Sequence, residues 1–202
     1  MIRQVSIPDR ILIWLTACLA AYQVAVGIDG LKRAAVLWYT IGFGVLLVAC
    51  LLFIIFGYEV LESPWVVAIA TILPISIAAG LIAEYLNAYM PHYLMFGALG
   101  LLAVLISRFL LPIRLATMIV AFVHGSAGLL IVILPLWITS QARAGPGFAL
   151  VSLGGVLIGI VGLLLSILRM GKPLLPISRI HAFFPVLLLM MATSFSAGMA
   201  WG

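Results

Sequence analysis

Charged residues are scarce in this chain. Only 7% of its 202 residues are Asp, Glu, Lys or Arg, while 66% are hydrophobic. A soluble domain of this length needs a polar surface, and this composition cannot supply one. The scarcity excludes a sizeable water-facing catalytic domain and indicates that a lipid bilayer is the solvent.

Cysteine and the usual catalytic combinations are also nearly absent. Cys18 and Cys50 lie within apolar stretches, where thiols more often pack as small apolar groups than form a disulfide. No nucleophile with its base, paired carboxylates, CxxC motif, phosphate loop or metal-ligand cluster can be assembled. We therefore expect no metal site and no enzymatic activity by the chain alone, and the sequence identifies no cofactor.

Long apolar stretches make up most of the chain. Each approaches the roughly 20 residues that cross about 30 Å of hydrocarbon, and lipid leaves backbone groups no partner outside a helix. The predicted fold is one all-α transmembrane bundle with short connections. Its seven predicted spans are 11–28, 35–57, 65–83, 94–111, 115–139, 148–168 and 180–201.

The placement of basic residues predicts an orientation, because Lys and Arg favour the cytoplasmic side of short loops. With seven spans, the N-terminus is cytoplasmic. If 65–83 does not span, six helices remain and the N-terminus lies outside. The loops around 108–114 and 169–179 are cytoplasmic in both cases, and the latter is a predicted basic loop. Its members are Arg169, Lys172, Arg179 and His181.

Polar residues at membrane depth are costly and are the first functional candidates. His124 lies about 14 Å into its predicted span, next to small residues that leave space for water. A histidine that titrates near neutrality can relay protons, but it can equally be a neutral ring bonded to a nearby carbonyl. A predicted transport path joins His124 to the hydroxyls of Ser126, Thr193, Ser194 and Ser196.

Two further groups of residues are candidates. A polar, aromatic cluster at the end of the third span can gate a solute, or can belong to the interfacial aromatic belt; it comprises Glu84, Tyr85, Asn87 and His92. Gly155, Gly159 and Gly162 lie on one face of the sixth span. They predict close helix packing, either within the chain or at a homodimer seam.

Part of the chain resembles the membrane domain of proton-translocating NAD(P) transhydrogenase. VAFVHGSAGLLIVI at 120–133 is similar to that family's helix with a mid-membrane histidine, and SLGGVLIGIVGLLLSILRMGKPLLPISRIH at 152–181 to its glycine-rich helix and following basic loop. The resemblance implies that His124 is a proton-path histidine and that 172–181 face nucleotide-binding domains. Those domains have no counterpart here, so the resemblance implies either a membrane piece that works with other chains or a distant relative with another task.

Two functions follow as hypotheses. The first is a multi-pass inner-membrane protein that conducts or couples protons, or another small species, through a bundle centred on His124. The second is a non-catalytic subunit of a respiratory or photosynthetic complex that binds partner helices, lipid or pigment. Both predict lipid and other membrane subunits or further copies of the chain as partners, and neither involves nucleic acid.

Overall fold

The computed structural model describes residues 5–171 and 175–201. Within these residues the chain forms seven α-helices and no strand, which confirms the predicted all-α bundle. The helices are α1 Ile7–Val26, α2 Arg33–Phe56, α3 Pro64–Tyr85, α4 Met90–Leu110, α5 Ile113–Ser140, α6 Ala149–Arg169 and α7 Ile177–Ala200. Short 3-10 turns lie at Gly57–Glu62, Asn87–Tyr89 and Pro146–Phe148.

All seven helices are long and apolar enough to cross a bilayer, so the chain is built as a multi-pass membrane protein. The third span, whose crossing the sequence left open, is α3. It packs against α2, α4 and α5, and 61% of its most apolar window is buried, a larger share than in any other helix. The seven-span alternative is therefore the one that the fold supports.

Local signals explain where the helices begin. α1 starts at Ile7, four residues before the predicted span, because Ser6 and Asp9 form a capping box and Pro8 occupies the first turn. α4 starts at Met90, four residues before the predicted span, so Pro91 and His92 lie in its first turn. Prolines inside α3, α5 and α7 leave each helix continuous.

The helices form a closed ring with one member outside it. α1 packs against α2 and α7, α2 against α3, α3 against α5, α5 against α6, and α6 against α7, while α4 lies across α3 and α5. We call the membrane face where α1, α3, α5 and α7 begin the N-terminal face, and the other the opposite face. The ring interior is filled by apolar side chains that are almost completely buried, among them Ile13, Phe43, Leu81, Met191 and Phe195.

Candidate functional site

His124 lies near mid-depth of the bundle. It is about 17 Å from the start of α5, a helix roughly 42 Å long. Its ring Nδ1 is 3.1 Å from the carbonyl oxygen of Val120 in the preceding turn. A carbonyl only accepts, so Nδ1 carries the proton in this bond, and Nε2 is the nitrogen that remains for exchange or for a ligand.

A crevice between α5 and α6 opens beside His124. At Gly155 the two helices are close, because an added Cβ would lie 3.0 Å from side-chain atoms of both Ile131 and Val132. Farther toward the N-terminal face, an added Cβ at Gly159 or Gly162 would meet nothing within 4 Å in the described part of the chain, so this face of α6 leaves open space beside α5. The predicted packing role of the glycine face therefore applies to Gly155, while the other two border open space.

The α5 wall of this crevice is also made of glycine. The helices are antiparallel, so each step along α6 from Gly155 matches a step back along α5 from Ile131. Gly159 thus lies near the level of Gly128, and Gly162 near that of Gly125 and His124. Added Cβ atoms at Gly125 and Gly128 also meet nothing within 4 Å. We call the space bordered by Gly125, Gly128, Gly159 and Gly162 the glycine crevice.

The other predicted path residues do not gather around His124. Ser126 lies on the far side of α5, where it lines an open apolar groove of about 350 Å³. Thr193 is exposed on the outer surface of α7 and donates to the carbonyl of Leu189, at 2.9 Å. Ser194 is half-buried and Ser196 is buried on the same helix. The structure therefore leaves His124 as the one member of that group beside the crevice.

Ser196 takes part in a different polar site. Its hydroxyl and Gln23 Oε1 are buried, and neither has a hydrogen-bond partner in the part of the chain that the structure describes. Gln23 lies three residues before the end of α1 and Ser196 four before the end of the parallel, adjacent α7. Phe195 and Gly198 face α6, which leaves Ser196 on the flank toward α1. Both groups therefore lie near one seam at the opposite face.

The predicted polar cluster after α3 is divided into two parts. Glu84 accepts a hydrogen bond from the backbone N–H of Lys32 at 2.8 Å, and the Lys32 ammonium lies 4.0 Å from the carboxylate and bonds its backbone oxygen. The Tyr85 ring packs on Phe148, with centroids 5.2 Å apart. Asn87 and His92 are exposed. Glu84 and Tyr85 thus join neighbouring helix connections, while the other two face outward.

The predicted basic loop is mostly helical in the structure. Arg169 is the last residue of α6, Arg179 lies in the first turn of α7, and Lys172 falls outside the described residues. His181 is not in the loop either: it is 3% exposed and its ring stacks on Tyr58, with centroids 4.1 Å apart. The Tyr58 hydroxyl donates to the His181 carbonyl at 2.7 Å. His181 is therefore a packed residue that joins α7 to the 3-10 turn after α2.

The sequence pattern did not single out Tyr58, nor did it indicate that Arg108 and Arg169 belong to one site. The contact between Tyr58 and His181 joins residues 123 positions apart, and no local pattern reports such a pairing.

No group of three or more His, Cys, Asp or Glu residues lies close enough to hold a metal within the described ranges. Both cysteines are free; Cys50 is buried and Cys18 exposed. Comparisons with protein-family models, curated proteins and solved structures find no match. Function is therefore inferred from the residues themselves.

Proposed function

We propose that this protein conducts or couples protons, or another small species, across the membrane along a path that includes His124. The observation that carries the proposal is the mid-depth imidazole beside the glycine crevice, with Nδ1 held by its own helix and Nε2 left for exchange. A neutral histidine of this kind can accept a proton on one nitrogen and release one from the other. We propose the path at the α5–α6 crevice and not along the ring axis, because the buried side chains of the ring interior leave little room there.

The surroundings of the crevice support this assignment. At the N-terminal face, α5 begins beside Arg114 and α6 ends at Arg169, so basic side chains lie at that end of both helices. Similarity of 120–133 to the histidine helix of the transhydrogenase membrane domain agrees with a proton-path role for His124, within an assembly that contains other chains. An assembly also explains why so few polar groups are found along the path.

We place the chain in the inner, plasma membrane with a cytoplasmic N-terminus. In the described residues the basic side chains at the N-terminal face outnumber those at the opposite face, which the positive-inside rule associates with the cytoplasm. The first group is Arg10, Arg108, Arg114, Arg169 and Arg179, and the second is Lys32, Arg33 and Arg143.

Replacing His124 with glutamine tests the path. In liposomes that contain the purified protein and a pH-sensitive dye, we expect the wild type to dissipate an imposed proton gradient faster than protein-free liposomes do. His124→Gln should reduce this flux to the protein-free rate, because an amide of similar size does not titrate. His92→Gln is the matched control, since His92 is exposed in the first turn of α4, and its flux should equal that of the wild type. Equal flux for His124→Gln and the wild type would remove His124 from any proton path.

A second candidate function is a non-catalytic subunit that binds a partner helix. Gly159 and Gly162 are exposed at membrane depth with free space above them, and small residues on one helix face let two helix backbones approach closely. A partner helix from another subunit fits such a surface. Lipid or pigment bound in the crevice would also fill this surface in place of a partner helix.

Purification in mild detergent from the native membrane tests this second function. We expect a co-purifying chain or chromophore with the wild type, and its loss when Gly159 is replaced by leucine, because the larger side chain fills the approach surface. Gly44→Leu is the control, since Gly44 also has open space around it but lies on α2. Retention of the same companion by Gly159→Leu would exclude this face as the binding surface.

A further inference from the structure

Two arginines flank the beginning of α3 at the N-terminal face. Arg108 lies in the last turn of α4, and the residue after it, Phe109, packs on Trp65 in the first turn of α3 with ring centroids 4.9 Å apart. Arg169 ends α6 and donates from Nη2 to the carbonyl of Leu61, just before α3. Helices from three parts of the chain thus bring like charges to one helix end.

The beginning of α3 adds further positive potential. Ser63 makes no side-chain hydrogen bond to the first turn, and the first backbone bond runs from Val67 N–H to the Ser63 carbonyl. The N–H groups of Trp65 and Val66 therefore have no partner within the helix. A helix N-terminus with free N–H groups attracts anions through its dipole and its donors.

One carboxylate partly offsets this site. Glu62 is exposed and acts on Arg169 through space, but it forms no ion pair within 4.0 Å with either arginine in the described part of the chain. The Nε atom of Arg108 is buried and has no hydrogen-bond partner there. A buried guanidinium nitrogen without an acceptor is costly, so the geometry favours an acceptor supplied from outside the chain.

We propose that Arg108, Arg169 and the first turn of α3 form a binding site for a phosphate group. Guanidinium groups and helix N-terminal N–H groups are the donors that proteins use for phosphate oxygens. This site is separate from His124 and does not depend on the conduction proposal. The phosphate can belong to the headgroup of an anionic lipid or to a phosphate-bearing solute.

Position favours the lipid source. Trp65 and Phe109 are largely exposed beside the arginines, at a helix end where aromatic rings mark the headgroup level of the bilayer. Basic residues at the cytoplasmic end of transmembrane helices attract anionic headgroups. A lipid would place its phosphate at Arg108 and its acyl chains along the outer surface of α3 and α4.

The test measures ligand-induced stabilisation of the full chain in detergent. Phosphatidylglycerol, phosphatidylcholine and inorganic phosphate are titrated separately while Tm is followed. We expect phosphatidylglycerol to raise Tm and phosphatidylcholine to have a smaller effect. Arg108→Gln should weaken the apparent affinity roughly 10- to 100-fold, as expected when a charge-assisted hydrogen bond is removed.

Arg114→Gln is the matched control, because Arg114 is exposed in the first turn of α5 at the same face and carries the same charge. Its affinity should stay within about twofold of the wild type, as for an exposed and screened charge. Stabilisation by phosphatidylglycerol but not by inorganic phosphate identifies a lipid site, and stabilisation by both identifies a site for the phosphate group itself. Absence of stabilisation by either ligand, or equal loss in Arg108→Gln and Arg114→Gln, would overturn the proposal. If the glutamine variant does not fold, the affinity of Arg108→Lys is compared with that of Arg114→Gln in its place, because lysine keeps the charge but removes the Nε donor.

Discussion

Replacing Gly198 with alanine is expected to destabilise the bundle by about 3 kcal/mol, at the upper end of the usual range for overpacking. The added Cβ would lie 2.7 Å from the backbone nitrogen of Val151 and 2.8 Å from its side chain. A backbone atom cannot rotate away as a side chain can, so α6 and α7 would have to separate along their seam. In lipid, such close packing is the main force that joins helices, and its loss is not offset by a hydrophobic drive.

Unfolding of the detergent-solubilised protein by increasing fractions of sodium dodecyl sulfate measures this effect. Gly159→Ala is the matched control: it is the same substitution on α6, at a position where the added Cβ meets nothing within 4 Å. We expect Gly159→Ala to change the free energy of unfolding by less than about 1 kcal/mol, or to stabilise the helix slightly. Equal stability of the two variants would show that α6 and α7 are not in close contact at Gly198.

Gly159 and Gly198 show what a pattern of small residues can and cannot predict about helix packing. The spacing of Gly155, Gly159 and Gly162 identifies one helix face, and such a face is typical of close helix packing. It does not specify which of these glycines meets the neighbouring helix: an added Cβ would contact Ile131 and Val132 of α5 only at Gly155. The close contact at Gly198 had no spacing signal of its own.

The course of the helices could be predicted because lipid allows few alternatives, although six or seven spans remained open. A transmembrane segment must form all its backbone hydrogen bonds within itself and must be about 20 residues long. The length of an apolar stretch is therefore enough to identify a transmembrane helix. Every predicted span boundary lies within four residues of a helix end. The early start of α1 was also readable, since Ser6 and Asp9 have the spacing of a capping box.

Which helix is most enclosed by its neighbours could not be predicted from hydropathy. In a soluble protein the polar face of a helix points outward, but here lipid-facing and protein-facing residues are both apolar. The buried segment 75–83 of α3 reads like any other span, although all of it is enclosed by neighbours. For the same reason the sequence indicates that His124 lies at mid-depth, but not the open space beside it, which depends on how α5 and α6 pack.

Replacing Phe43 with alanine should also have a large effect, about 3 kcal/mol of lost stability. Phe43 on α2 is 1% exposed and fills part of the ring interior. In water, such a truncation loses both the transfer free energy of the ring and the contacts around the cavity. In a bilayer the unfolded alternative is also apolar, so the cavity term remains and the transfer term shrinks. The expected loss therefore falls at the lower end of the range for buried phenylalanine.

Phe122→Ala is the comparison that isolates this cavity term. Phe122 on α5 is 67% exposed on the outer surface, so its removal leaves no enclosed void and lipid can fill the space. Its free energy of unfolding, measured by the same detergent titration, should change by less than about 1 kcal/mol. A large loss for Phe122→Ala with none for Phe43→Ala would mean that α2 and α5 present the reverse faces to lipid. That result would contradict the ring arrangement of the helices, and with it the position of His124 and the glycine crevice at the α5–α6 edge.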